Sequence, residues 1–363
     1  MQEAPEVWYP SGMAFRFWRR FRVIPGVYVN LSKSGASLSL GPRGATGTIG
    51  PGGVRGTLGI PGTGLFYTVR GGSSAKRTRG SDGSSPHGVQ GQRPDLGFLQ
   101  RMTASAERRA LVEALQAWHD GDDPEAQRRF ETLATSNGRE PDGIDAAWFA
   151  ALMRLASGDA KQAARFLDAV ASDLDALGTA VAALGVEPIV QLEVTDLVTI
   201  HVPPTREAYH LAAAETFEQR GEHARARRHL ETLLSEDASN PLWLASWGDL
   251  IVQGPHEPAD LHDVVSRMAS LQNDSVLHAI ALLAKGRALT KLGLLTAARD
   301  TFTMAYRKRK DRPAELRRTA RYERALTYEA LGNASRARSE LEALYAEDPA
   351  FEDVAARLGV APS

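Results

Sequence analysis

Residues Ile280–Lys310 read IALLAKGRALTKLGLLTAARDTFTMAYRKRK. Small and apolar side chains fall at Leu282, Gly286, Leu289, Gly293, Ala298, Phe302 and Ala305, the spacing of paired helices that each bury one stripe. The same frame returns in Arg318–Pro349 as Ala325, Tyr328, Gly332, Ala337, Leu341, Leu344 and Pro349. In Glu207–Ala238 it appears as Ala214, Phe217, Gly221, Ala226, Leu230 and Leu233. Weaker copies centre on Gly121, with Ala126, Phe130 and Leu133, and on Gly158, with Ala163, Leu167 and Val170. Asn240–Leu271, with Trp243 and Trp247, is a degenerate copy whose turn is interrupted by Pro255 and Pro258. A recurring frame of this kind marks stacked repeats.

These runs resemble tetratricopeptide repeats over about residues 105–350. Small residues at the eighth and twentieth positions let paired helices approach closely, and larger ones fill the layer between repeats. The resemblance implies a solenoid with a concave binding surface, in which the first helix of each repeat lines the groove. On that basis the expected lining includes Trp148, Leu152, Leu211, Glu215, Gln219, Arg287, Lys291, Tyr322 and Glu329. Acidic and basic positions are mixed there, so the partner's charge is not legible.

Outward from the repeats, Pro188–Val194, Thr195-Asp196 and Leu197–Val202 alternate with period two and are rich in β-branched residues. This predicts a β-hairpin insertion at about 188–203, ended by Pro203-Pro204. Its edge is suited to pairing with an N-terminal sheet or with another protein's strand. Residues 71–95 are Gly/Ser-rich and polar, the composition of a flexible linker. Helical periodicity begins at about Leu96, so the repeat array is placed at 96–355.

The stretch before the linker has its own period. Glycine recurs every nine residues at Gly26, Gly35, Gly44, Gly53 and Gly62, with Leu31, Leu40, Ile49 and Leu58 in step. Five strand residues alternate with four turn residues, the turns being SKSG, GPRG, GPGG and GIPG. One face collects Val27, Val29, Leu31, Leu38, Leu40, Ile49, Val54 and Leu58, and hairpin pairing keeps Leu31 with Ala36 on one side. The expectation is a small antiparallel β-meander over residues 13–70 whose apolar face needs a cover. The run NLSKSGASLSLGPRG, then GPGGVRGTLGIPGTGLFYT, preceded by MAFRFWRRFRVIPGV, resembles the bacterial domain of unknown function 4236, with Phe66 where serine is usual. That resemblance implies no activity. Residues 1–12 are polar and proline-flanked, a disordered N-terminus by expectation, and Met13 is a second candidate start beside Met1.

The 363 residues are 43% hydrophobic and 24% charged, ordinary for soluble globular chains with room for more than one domain. There is no cysteine, which excludes disulfides, thiolate metal sites and cysteine nucleophiles. The N-terminus lacks the basic-then-apolar pattern of a secretory signal, no run reaches the roughly 18–20 apolar residues of a membrane span, and cytoplasm is the default location. The net charge of -1 conceals a division: residues 1–81 hold eleven Lys/Arg against two Asp/Glu, and the remainder 32 against 42. Such asymmetry marks contact with an anionic partner, or docking of the basic module on the acidic remainder of its own chain or of a second copy.

Catalytic signatures are weak. The glycine loops lie between strands, without the following helix and GK[ST] of a phosphate loop, and read as turns. Arg16, Arg19, Arg20, Arg22, Lys33, Arg43 and Arg55, interleaved with Phe15, Phe17 and Trp18, form a candidate anion or nucleic-acid surface; the competing reading puts the aromatics in a core and the arginines in solvent. Nine histidines are scattered, and His223/His229 are spaced by six, off one helix face. Tyr306-Arg307-Lys308-Arg309-Lys310 places cations at a helix C-terminus, where they complement the dipole. The sequence therefore predicts a multi-domain α+β chain: a β-meander module, then a mostly α-helical tetratricopeptide-like solenoid with a hairpin insertion. The expected function is non-enzymatic: a scaffold binding a protein or peptide in the repeat groove, its β-module self-associating or docking. The alternative is nucleic-acid or anionic-surface binding through the N-terminal module. No catalytic residue, cofactor or metal site is expected.

Overall fold

The computed structural model describes the backbone of residues 27–32, 35–40, 45–50, 53–59, 65–69, 104–120, 122–184, 189–195, 198–307, 312 and 314–360, with side chains outside the strands other than His119. The N-terminal residues 1–12 and the linker 71–95 lie outside the described residues.

The helices follow one another as α1 (Ala106–His119), α2 (Asp123–Asn137), α3 (Pro141–Ala156), α4 (Ala160–Ala171), the short α5 (Thr179–Ala183), α6 (Arg206–Gln219) and α7 (His223–Glu236). They continue with α8 (Pro241–Gln253), α9 (Pro258–Arg267), α10 (Val276–Lys291), α11 (Leu295–Arg307), α12 (Ala314–Ala330), α13 (Ala334–Glu347) and the short α14 (Val354–Leu358). Most long helices start on an oxygen-bearing cap. Ser105, Asp122, Asp159, Thr205, Asn240, Ser275 and Asn333 each accept a bond from a first-turn backbone N–H.

Four of the turns inside the helix pairs share one closure. Gly158, Gly221, Gly293 and Gly332 have φ of 79°, 73°, 74° and 74°, left-handed values that cost a β-carbon-bearing residue. The next residue in each case returns its N–H to a carbonyl five positions back, Asp159 to Arg154 at 2.9 Å, Glu222 to Phe217 at 2.8 Å, Leu294 to Leu289 at 2.9 Å and Asn333 to Tyr328 at 2.8 Å. This is the glycine closure that ends one helix and aims the chain into its partner. The α8–α9 turn differs, as Pro255 and Pro258 suggested. Gly254 there is extended, with φ -83° and ψ -175°, and Pro258 opens α9.

Each long helix packs on the next long helix in the chain, and α8 also packs directly on α10. One continuous core runs from Leu111 to Ala320. A second, smaller core holds Ala325, Leu341, Leu344, Phe351 and Val354, so α12 contributes to both. Side-chain approach is close in the α10–α11 pair, where Phe302 lies directly over Gly286.

The α+β class read from the sequence is corrected. Residues with described side chains lie in helices and their connections, and contain no strand; the class is an α-helical repeat solenoid. The independent meander does not stand either; the hairpin's backbone pairs with the N-terminal strands, one of the two pairings expected of its edge. The extended backbone segments β1 (Val27–Ser32), β2 (Gly35–Leu40), β3 (Ala45–Gly50), β4 (Gly53–Gly59), β5 (Leu65–Val69), β6 (Ile189–Thr195) and β7 (Val198–Val202) close on one another. β5 pairs antiparallel with β6, and β1 pairs parallel with β7. The reason is that an open meander leaves two rows of unpaired backbone groups, which closure removes.

Candidate protein-interaction surface

The first helices α8, α10 and α12 come from successive repeats and are tied by a charged ladder. The guanidinium of Arg287 donates from Nε to Glu323 Oε1 at 2.6 Å and lies 3.4 Å from Asp249 Oδ1 through Nη1. Gln253 Nε2 donates to the same Asp249 oxygen at 2.7 Å. These groups are part-buried, which strengthens the pairing over that of a fully solvated surface.

Beyond the ladder, α12 is joined to α14. The Tyr322 hydroxyl donates to Asp353 Oδ1 at 2.5 Å, and Arg357 donates from Nε to the same oxygen at 2.8 Å and from Nη1 to Glu329 Oε2 at 2.7 Å. Burial, and the adjacent Asp353 carboxylate, push the Tyr322 hydroxyl well above the usual phenol range. Glu352 precedes this pair with φ 46°. Its carboxyl is raised by desolvation, then by the charges of Asp353, Glu323 and Glu315, while Arg287 works in the opposite direction. Glu352 is exposed and has no ion pair among the described residues, whereas Glu323, Asp353 and Glu315 are each paired with an arginine.

The nine groove residues expected from the sequence separate. Trp148, Leu152 and Leu211 are core residues, at 0%, 5% and 2% exposure. Glu215 is also buried and accepts a bond from the exposed Gln219 at 2.8 Å. First helices pack on neighbouring first helices as well as on their partners, so their large apolar positions are enclosed. Arg287, Lys291, Tyr322 and Glu329 lie on the surface just described. Asp249, Glu323, Glu352, Asp353 and Arg357 were missed. A signal existed for the ladder: Asp249 and Arg287 each directly follow the small residue of their helix, Gly248 and Gly286. Arg16, Arg19, Arg20, Arg22, Lys33 and Arg43 lie outside the described residues, as does the Arg55 side chain.

Two histidines meet in the α6–α7 pair, with His210 Nδ1 and His229 Nδ1 at 3.0 Å and Phe217 stacked on His229. Burial lowers both to about 4. Among the described residues no three of His, Cys, Asp and Glu gather as a metal site, and no described helix is long and apolar enough to cross a membrane.

Residues 116–359, about two thirds of the chain, match the family described as the N-terminal domain of the T7SS, ESX-1 secretion system protein EccA1. The chain belongs to this EccA1 N-terminal-domain family. Residues 15–68 match a second family, the protein of unknown function DUF4236. The solved EccA1 ATPase N-terminal domain from the ESX-1 secretion system of Mycobacterium tuberculosis is similar over 72% of this chain and 90% of that one, at 18% identity and a TM-score of 0.52. A tetratricopeptide repeat protein from Parabacteroides merdae is similar over 67% of this chain and 80% of that one, at 16% identity and a TM-score of 0.44. No curated protein sequence matches the chain. The EccA1 likeness is one of fold, and it places the ladder and the α12–α14 network on a helical-repeat framework.

Proposed function

We propose that this protein is a non-catalytic scaffold whose helical repeats hold a protein partner along α8, α10, α12 and α14. The observation that carries the reading is the exposed Glu352 carboxylate, which has no ion pair among the described residues, beside a ladder that already uses Arg287 on Asp249 and Glu323. A basic side chain from an extended segment of the partner meets Glu352 there, near the Tyr322–Asp353 pair. Membership of the EccA1 N-terminal-domain family supports a setting in protein secretion, with the partner a protein handled by such a system. Full-length protein used as bait, wild type beside Glu352→Lys, tests this. A partner carrying a basic segment is recovered by the wild type and falls at least tenfold with the variant, while thermal unfolding of the two stays the same. Equal recovery by both overturns the reading, as does undiminished recovery when Arg287, Lys291 and Tyr322 are all replaced by alanine.

A further inference from the structure

On the opposite side of α12 lies an arginine cluster that the scaffold reading leaves unused. The ring of Tyr306, at the end of α11, is faced by the guanidinium groups of Arg324 at 4.6 Å, Arg321 at 5.1 Å and Arg317 at 5.5 Å. Arg321 also donates to the Tyr306 hydroxyl. Carboxylates answer most of this charge. Glu340 lies 2.5 Å from Arg324 and 3.3 Å from Arg321, and Glu347 lies 2.6 Å from Arg321. Arg318 is held by Glu315 at 2.5 Å and Asp348 at 3.4 Å.

Arg317 is different. Part-exposed on the same helix face as Arg321 and Arg324, it has no ion pair or hydrogen bond among the described residues; the Tyr306 ring is its contact. Its Nε, like that of Arg324, is buried without a hydrogen-bond partner. An unpaired guanidinium among like charges, with an orphaned N–H beside it, is a costly arrangement that a bound anion relieves.

We propose that this cluster binds a phosphate group, with Arg317 as the fork, Arg321 and Arg324 supplying the surrounding positive field, and Tyr306 fixing the Arg317 plane. Guanidinium matches phosphate oxygens two at a time. Phosphate is favoured over another carboxylate because carboxylates already occupy the neighbouring forks, and what is left open is the part-exposed fork of Arg317. A phosphate dianion supplies paired acceptor oxygens to that fork and adds charge that offsets the arginines beside it.

The test is thermal unfolding of the full chain in chloride and in inorganic phosphate at matched ionic strength, for wild type, Arg317→Gln and Arg317→Lys. In chloride, Arg317→Gln melts about 1–3 °C above wild type, because repulsion and an orphaned N–H are removed. Phosphate raises all three through its general exclusion from protein surface, but it raises wild type by several degrees more than either variant. Adenosine monophosphate in place of inorganic phosphate distinguishes the source: a larger wild-type gain identifies an esterified phosphate, and an equal gain identifies the free anion. Two results overturn the proposal. One is an equal phosphate gain in wild type and Arg317→Gln; the other is Arg317→Gln melting below wild type in chloride, which marks the arginine as a packing element on Tyr306.

Discussion

Phe302 covers Gly286 so closely that a β-carbon on Gly286 would stand 2.4 Å from the Phe302 ring. Intrinsic helix propensity alone says that Gly286→Ala stabilises α10 by about 1 kcal/mol. The contact reverses the sign, and the expected result is a loss of about 1–3 kcal/mol from overpacking. Phe302→Leu in the same chain recovers part of that loss, and a double-mutant cycle by urea unfolding measures the coupling.

Gly293 gives the complementary experiment. Nothing lies within 4 Å of where its β-carbon would be, and its φ is 74°. Gly293→Ala therefore costs about 1–2 kcal/mol through backbone conformation alone, while Gly293→Asn costs less because asparagine visits this region more readily. Equal costs for the two substitutions in urea unfolding refute the backbone account.

Arg287 separates Asp249 from Glu323. Arg287→Ala leaves those two carboxylates facing each other across α10 and lowers stability by about 1–2 kcal/mol. Salt screens the remaining repulsion, so the loss shrinks between low and high ionic strength. A loss that is independent of salt points to lost packing of the arginine stem.

Two buried sites titrate in opposite senses. His210 and His229 are depressed to about 4 in the folded protein, so their contribution is present above the unfolded value near 6.5 and is lost as pH falls toward 4. Asp145 behaves conversely. It is fully buried on α3 and accepts bonds from Gly178 N at 2.5 Å and Val181 N at 3.0 Å. Burial outweighs those bonds and raises it from 3.8 to about 6. Its contribution is full below the unfolded value and is lost as pH rises through about 6. Acidification from pH 6.5 to 4 thus takes up protons on unfolding at the histidines and on folding at Asp145. Asp145→Asn removes the compensating term, so its stability falls more steeply over that interval than that of wild type. A parallel or shallower profile by denaturant titration at each pH refutes the assignment.

The repeat frame was legible because close approach and turn closure each demand one residue type. Gly286 under Phe302 and Gly293, Gly332 and Gly221 at left-handed turns are positions where the local chemistry leaves little choice. The surface was harder. Trp148 and Leu211 sit on first helices, as the groove residues of the resemblance do, but they face neighbouring helices that only the superhelical packing brings together. Glu352 was invisible for another reason. It lies in a short connection after Pro349, and its acidic surroundings come from Glu323 and Glu315 on another helix. The nine-residue glycine period is local and led to an independent meander, whereas β1 and β5 find partners in β7 and β6, more than a hundred residues away; only the free edge of the hairpin hinted at that pairing.

The division of the core at α12 has a thermodynamic consequence. Leu316 and Ala320 belong to the long core and Ala325 to the short one, so the last described unit is a small cooperative one attached through half of one helix. In a repeat protein each unit is stabilised chiefly by its neighbours, and among the described residues this one adjoins the long core alone. It opens below the free energy of global unfolding, and amide exchange in α13 and α14 outpaces that in α3 or α10. The Tyr322–Asp353 bond and Glu352 sit across that opening. A partner bound there therefore closes this unit as it binds, and its affinity reports how often the unit is already shut.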